Sequence, residues 1–176
     1  MIRKNELSKM KKLKLFILSE KRKKALPSFA SWKDVFYLAG GTGLALQIGH
    51  RESVDFDFFS RQPFATDYLN VASIPDIACM KLSTIMQRCA LKDYVDLYEI
   101  MKIYSLTQLL SFAKKKYPVI DSTVILKSLT YLDDITDEPL QYQTGQKKPQ
   151  LDVLKIFFQN EVKKYMSSII TPSSEM

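Results

Sequence analysis

Gly40, Gly41 and Thr42 stand between an apolar run, Phe36–Ala39, and a helical pattern over Thr42–Ile48. Shortly afterwards Asp55 and Asp57 recur at strand spacing within Val54–Phe59. A glycine turn that opens a helix can cradle phosphate, because exposed backbone N–H groups and the helix dipole both favour anions. Glycine also accepts positive φ and lets backbone approach a ligand closely. Residues i and i+2 of a strand project from one face. The Cα atoms of Asp55 and Asp57 would thus lie roughly 6.5–7 Å apart, within reach of one divalent cation. Mg²⁺ takes hard oxygen ligands, keeps several waters and accepts substrate phosphates in the remaining positions. Together the two features point to handling of a nucleoside triphosphate (NTP) with Mg²⁺.

Neighbouring residues extend this reading. Arg51 has the fork geometry to clamp a phosphate, and Ser53 a hydroxyl to hydrogen-bond one. Thr42 can cap its helix or turn its hydroxyl to a phosphate. The glycines alone fit an ordinary tight turn equally well, since neither GxxxxGK[ST] nor GxGxxG occurs here. His50 is the only histidine, so a Ser/His or Cys/His pairing has no choice of candidates, and it reads as a residue that holds the loop rather than as a base. Farther on, Lys81, Thr84 and Arg88 share one helix face, and Asp93 and Asp96 share a face at the start of the next helix. Beside a triphosphate, Lys81 would compensate charge and Asp96 would orient it or accept a proton. Their spacing alone favours a surface lysine and a helix-capping aspartate.

These residues need elements to position them. Residues 5–23 read as an amphipathic helix through Leu7, Met10, Leu13, Phe16 and Ile17, closed by Pro27. Phe36–Ala39 and Val54–Phe59 read as strands, the second with Val54, Phe56 and Phe58 inward, and residues 69–72 supply a third. Ser73 or Asp76, with Pro75, starts a helix through Arg88. Further helices are expected over Asp93–Lys102, Leu106–Lys116, Val119–Tyr131 and Leu151–Tyr165, with a loop over 137–149. The expected fold class is α+β. An N-terminal basic helix and small α/β lobe occupy 1–74, a helical lobe 75–170, and a frayed tail 171–176.

At 176 residues and 46% hydrophobic, the chain has material for a core, and wholesale disorder is excluded. No apolar run approaches the roughly 18 residues of a membrane span, so no membrane partner is expected. The basic N-terminus lacks the uninterrupted apolar segment of a signal peptide, and Cys79 and Cys89 have no companion His or CxxC. A cytoplasmic location follows as an expectation. The net charge of +7 is concentrated: residues 1–24 hold ten Lys or Arg against Glu6 and Glu20. Such a run most simply solvates a helix face, and alternatively meets nucleic acid or an acidic partner.

Three blocks, GGTGLAL, HRESVDFDFF and DIACMKLSTIMQRCALKDYVDLYEI, resemble the AbiEii/AbiGii type IV toxin family of nucleotidyltransferase-like proteins. The family pattern runs GGT-x-L-x-L, R-x-S-x-D-[IF]-D, then D-[IL]-x-x-M-K followed by K/R-D-x-x-D-L. The resemblance implies a reduced nucleotidyltransferase lobe related to polymerase β, followed by a helical C-terminal lobe. It implies Mg²⁺-dependent transfer of a nucleotide from an NTP to an RNA acceptor, commonly tRNA, and a cognate antitoxin as partner. By position it makes Gly40, Gly41, Thr42, Arg51 and Ser53 the NTP-binding residues and Asp55 and Asp57 the metal ligands. Asp55, Asp57, Lys81 and Asp96 become the catalytic set, with Asp93 a lesser candidate. The chain departs from the pattern in having only Ser60–Pro75 between the acidic strand and the DIACMK helix, where relatives carry further helix and strands. A truncated, inactive module that binds RNA or an antitoxin is the alternative.

Overall fold

The sheet is built outward from Leu38, a fully buried residue on a three-residue strand. In the computed structural model, which describes residues 13–59, 70–135, 139–142 and 148–170, this strand is β1 (Tyr37–Ala39). On one side β2 (Asp57–Phe59) pairs with it antiparallel, Ala39 opposite Asp57 and Leu38 opposite Phe58. On the other side β3 (Asn70–Val71) runs parallel, giving the order β2-β1-β3. Between β1 and β2 lies α2 (Gly40–Ile48), which Gly49 ends at φ 70° by donating its N–H to the Ala45 carbonyl at 2.7 Å. Leu38, Ala45, Leu46 and Val71 form a core with Ile17, Leu18 and Leu26.

The approach to this sheet differs from the continuous helix expected over residues 5–23, of which 5–12 lie outside the described residues. Leu15–Ile17 form one 3₁₀ turn, Leu18 and Ser19 are extended, and only Glu20–Ala25 form a helix, α1. Tertiary partners override the helical pattern. The Lys14 N–H donates to the Leu46 carbonyl at 2.8 Å, and its ammonium donates to the Ile48 carbonyl at 2.7 Å, at the end of α2. That arrangement places a cation where a helix leaves carbonyls unsatisfied. A 3₁₀ segment, Leu26–Trp32, then leads towards β1.

Two compact units are defined, Met1–Ile77 with Gln141–Gln146, and Ala78–Leu140 with Lys147–Met176. The second is helical, made of α3 (Ile74–Ile85, most of its length), α4 (Leu91–Met101), α5 (Leu106–Lys116), α6 (Ser122–Thr130) and α7 (Leu151–Ile170). Tyr94 and Phe158 meet edge to face in its core with centroids 5.8 Å apart, and the Tyr94 hydroxyl donates to the Ser128 carbonyl at 2.9 Å. Ser105 and Gln108 cap α5 reciprocally, and Asp121 caps α6. The chain is therefore α+β and mostly helical. Gln62–Asp67, the tail 171–176 and much of the 137–149 loop lie outside the described residues.

Candidate active site

In the first unit the glycine turn and the acidic strand are folded against each other. The register that sets Asp57 opposite Ala39 brings its carboxylate over Gly40, whose φ is 63°. A Cβ on residue 40 would overlap Asp57 Oδ2. A Cβ on residue 41 would lie 2.6 Å from Arg51 Nη2 and 3.1 Å from Ser53 Oγ. Gly40 is required by its left-handed backbone, and a Cβ at either glycine would push aside the end of a neighbouring side chain. The cap residue of α2 is Ala39, which supplies no side-chain acceptor for the first-turn N–H groups.

Thr42 is buried, and its hydroxyl donates to the backbone carbonyl of Asp55. Its observed partner is therefore the acidic segment, which it holds against the start of α2. Asp55 and Asp57 are exposed, alternating with half-buried Phe56 and Phe58, so the two carboxylates face away from the core as their spacing predicts. The regular strand is shorter than expected, beginning at Asp57, and Val54 is 59% exposed rather than inward. The three residues of β1 limit how far the partner strand can pair. Arg51 is buried, donates from Nη1 to the Glu52 carbonyl at 2.9 Å, and bridges through its backbone to Tyr142. His50 is buried beside it, as a loop-holding residue would be.

The second unit gathers the other candidates. Lys81 on α3 lies 2.6 Å from Asp93 Oδ1 and 2.9 Å from Asp96 Oδ2, both carboxylates being fully buried on α4. Arg88, in the α3–α4 turn, takes the other Asp93 oxygen at 3.0 Å. The surface lysine and capping aspartate favoured by spacing alone are replaced by an interior charge cluster. Burial works against the Lys81 ammonium, but Asp96 and Asp93 more than offset it, and the pKa rises above its usual 10.5. Arg88, placed by the sequence on the face of Lys81 but given no role there, is a participant. Its signal was two aspartates and two cations at core periodicity, where an exposed face would have no need to balance them.

Hard-oxygen chemistry fits the first unit. Asp55 and Asp57 are two exposed carboxylates beside a glycine turn, and among the described residues no cluster of three or more His, Cys, Asp or Glu could hold a metal. A divalent ion held there would draw on two side chains and complete its shell with water and phosphate oxygens, the habit of Mg²⁺.

Residues 24–70 match the family model described as nucleotidyl transferase AbiEii toxin, type IV TA system. The chain belongs to that family. The matched stretch includes Gly40 through Asp57 and ends before Lys81. An uncharacterized protein of Aquifex aeolicus (strain VF5), aq_aa25, is 30% identical over 187 aligned positions, covering 76% of this chain and 89% of the relative. Those positions outnumber the chain's own 176 residues, so the relative carries insertions within the aligned span. No solved structure matches. Among the described residues no helix is long and apolar enough to cross a membrane.

Proposed function

We propose that this chain is a Mg²⁺-dependent nucleotidyltransferase toxin that moves a nucleotide from an NTP to an RNA acceptor, tRNA in the first instance, and that a cognate antitoxin restrains it. The observation that carries the reading is the contact of the turn with the acidic strand: Asp57 on Gly40, and Arg51 with Ser53 on Gly41. Family membership sets the chemistry at the level of a nucleotidyltransferase and implies both an antitoxin and a nucleotide substrate.

In this mechanism the α2 N-terminus and the Gly40–Gly41 backbone receive phosphate oxygens, Arg51 clamps them and Ser53 donates to one. Asp55 and Asp57 hold Mg²⁺, which when bound neutralises charge on the triphosphate. Thr42 fixes the backbone from which Asp55 projects. An acceptor hydroxyl attacks the α-phosphorus and loses its proton to water, a new phosphodiester forms, the bond from the α-phosphorus to the β-phosphate oxygen breaks, and pyrophosphate leaves with that electron pair. The family pattern adds Lys81 and Asp96 to the catalytic set, and within the second unit Asp96 holds the Lys81 ammonium at 2.9 Å. Asp93 backs it at 2.6 Å.

The test is incubation of the purified chain with each labelled NTP, Mg²⁺ and total tRNA. Labelled RNA is expected, and it should disappear in Asp55→Ala. Absence of label with all four NTPs rejects the activity. A second reading, a binding module with lost catalysis, draws support from the small sheet and the insertions of the Aquifex relative. Calorimetry separates the two, because such a module would bind Mg²⁺·NTP weakly or not at all.

A further inference from the structure

The helix α1 is unusual in burying no side chain, although four of its six residues are Lys or Arg and one is Glu. An amphipathic helix exists in order to bury one face, so core packing does not explain this element. Lys21 and Lys24 are exposed, and Lys23 is paired with Glu20 at 2.7 Å. Arg22 Nε donates to the Val54 carbonyl at 3.1 Å. That bond ties the basic helix to the residue immediately before Asp55.

The next element carries a second unexplained feature. Trp32, the chain's single tryptophan, is 46% exposed at the end of the 3₁₀ segment. Its inner side rests edge to face on Phe58, with centroids 5.6 Å apart, and lies tilted against Phe29 at 5.4 Å. Phe58 follows Asp57 directly, so the indole is moored to the same acidic segment as α1. Phe36, 40% exposed, lies beside it at 6.4 Å.

We propose that α1 and Trp32 form the surface that holds the acceptor RNA, phosphates on Lys21 and Lys24 and an unpaired base stacked on the indole. Positive charge that tracks a backbone, combined with an exposed aromatic face, is how proteins bind single strands without reading sequence. Ammonium groups facing solvent explain the charge, and an indole braced from behind explains the exposure. The proposal rests on transfer to RNA at Asp55 and Asp57, and it adds where the acceptor lies.

Trp32 provides the readout. Full-length protein, without NTP or Mg²⁺, is titrated with an unstructured single-stranded RNA while indole fluorescence is followed at several salt concentrations. Quenching is expected, with affinity falling steeply as salt rises. Lys21→Gln with Lys24→Gln should lower the salt slope by about 1.4, roughly 0.7 per lost phosphate contact on a single strand. Trp32→Ala, followed by anisotropy of labelled RNA, should weaken binding roughly tenfold or more, and Trp32→Phe should recover part of the loss. RNA binding that leaves the indole unquenched, or an unchanged slope in the lysine double variant, overturns the proposal. Equal quenching by polyglutamate overturns it in favour of an acidic protein partner. Native chain that binds RNA in this way but transfers no label from any NTP loses the catalytic reading and leaves this surface standing.

Discussion

Asp57 occupies the volume that a side chain on residue 40 would need, so Gly40→Ala acts on the carboxylate from behind. The variant also forces a non-glycine residue into φ 63°. Strain of this kind costs on the order of 1–3 kcal/mol, and Asp57 must move in addition. Lower thermal stability together with weaker Mg²⁺·NTP binding is the expected result, checked by melting curves and calorimetry on one preparation. Thr42→Val keeps the shape of a buried side chain and removes the donor to the Asp55 carbonyl. About 1–3 kcal/mol of stability should be lost in urea titration, and nucleotide transfer should fall although residue 42 need not touch the substrate. The residue types of this site were legible in the sequence, and so was the outward face shared by Asp55 and Asp57. The destination of the Thr42 hydroxyl was not legible, because a hydroxyl has several acceptors in range and only tertiary placement chooses among them.

Helices α3 and α4 are joined by charge as well as by apolar contact. Lys81 sits between two fully buried carboxylates, so removing one leaves an interior charge undercompensated. Asp96→Ala should cost about 3–5 kcal/mol in chemical denaturation. Arg88→Ala should cost under about 1 kcal/mol, because the Arg88 side chain is 55% exposed and water screens its pairing with Asp93. A loss under about 1 kcal/mol from Asp96→Ala as well would mean that the cluster does not hold these helices together. At this scale local signals succeeded where they were self-contained. The helical pattern over Leu106–Lys116 marks α5, which spans those residues. They failed where a partner decides. The helix expected to run through Arg88 stops at Ile85, and Arg88 turns towards Asp93. The N-terminal pattern likewise gave way once Lys14 found acceptors at the end of α2.

The molecule as a whole should lose stability in alkali. Lys81 titrates above its usual 10.5, since Asp96 and Asp93 outweigh burial. Its contribution is complete below 10.5 and is lost as pH rises through the folded value. Tyr94 titrates above its usual 10.0, chiefly through burial and then through Cys89 and Asp93. The folded phenol therefore keeps a proton that the unfolded chain has released, which again favours unfolding as pH climbs past 10. Urea midpoints should hold level from neutrality to about pH 10 and then drop, and Tyr94→Phe should soften that drop. An α+β plan with a helical second part could be read from the sequence. The return of Gln141 and Tyr142 to the first unit could not, since a stretch rich in Pro, Gln and Gly looks like any loop.

That return bears on the order in which a ribosome delivers the parts. Arg51 bridges to Tyr142, and the Glu52 N–H donates to the Gln141 carbonyl at 2.9 Å. Most of the second unit must be synthesised before this strap exists. A nascent polypeptide then carries both aspartates while the backbone of Arg51 still lacks its clasp, so the first unit reaches its final form only after Tyr142 has been made.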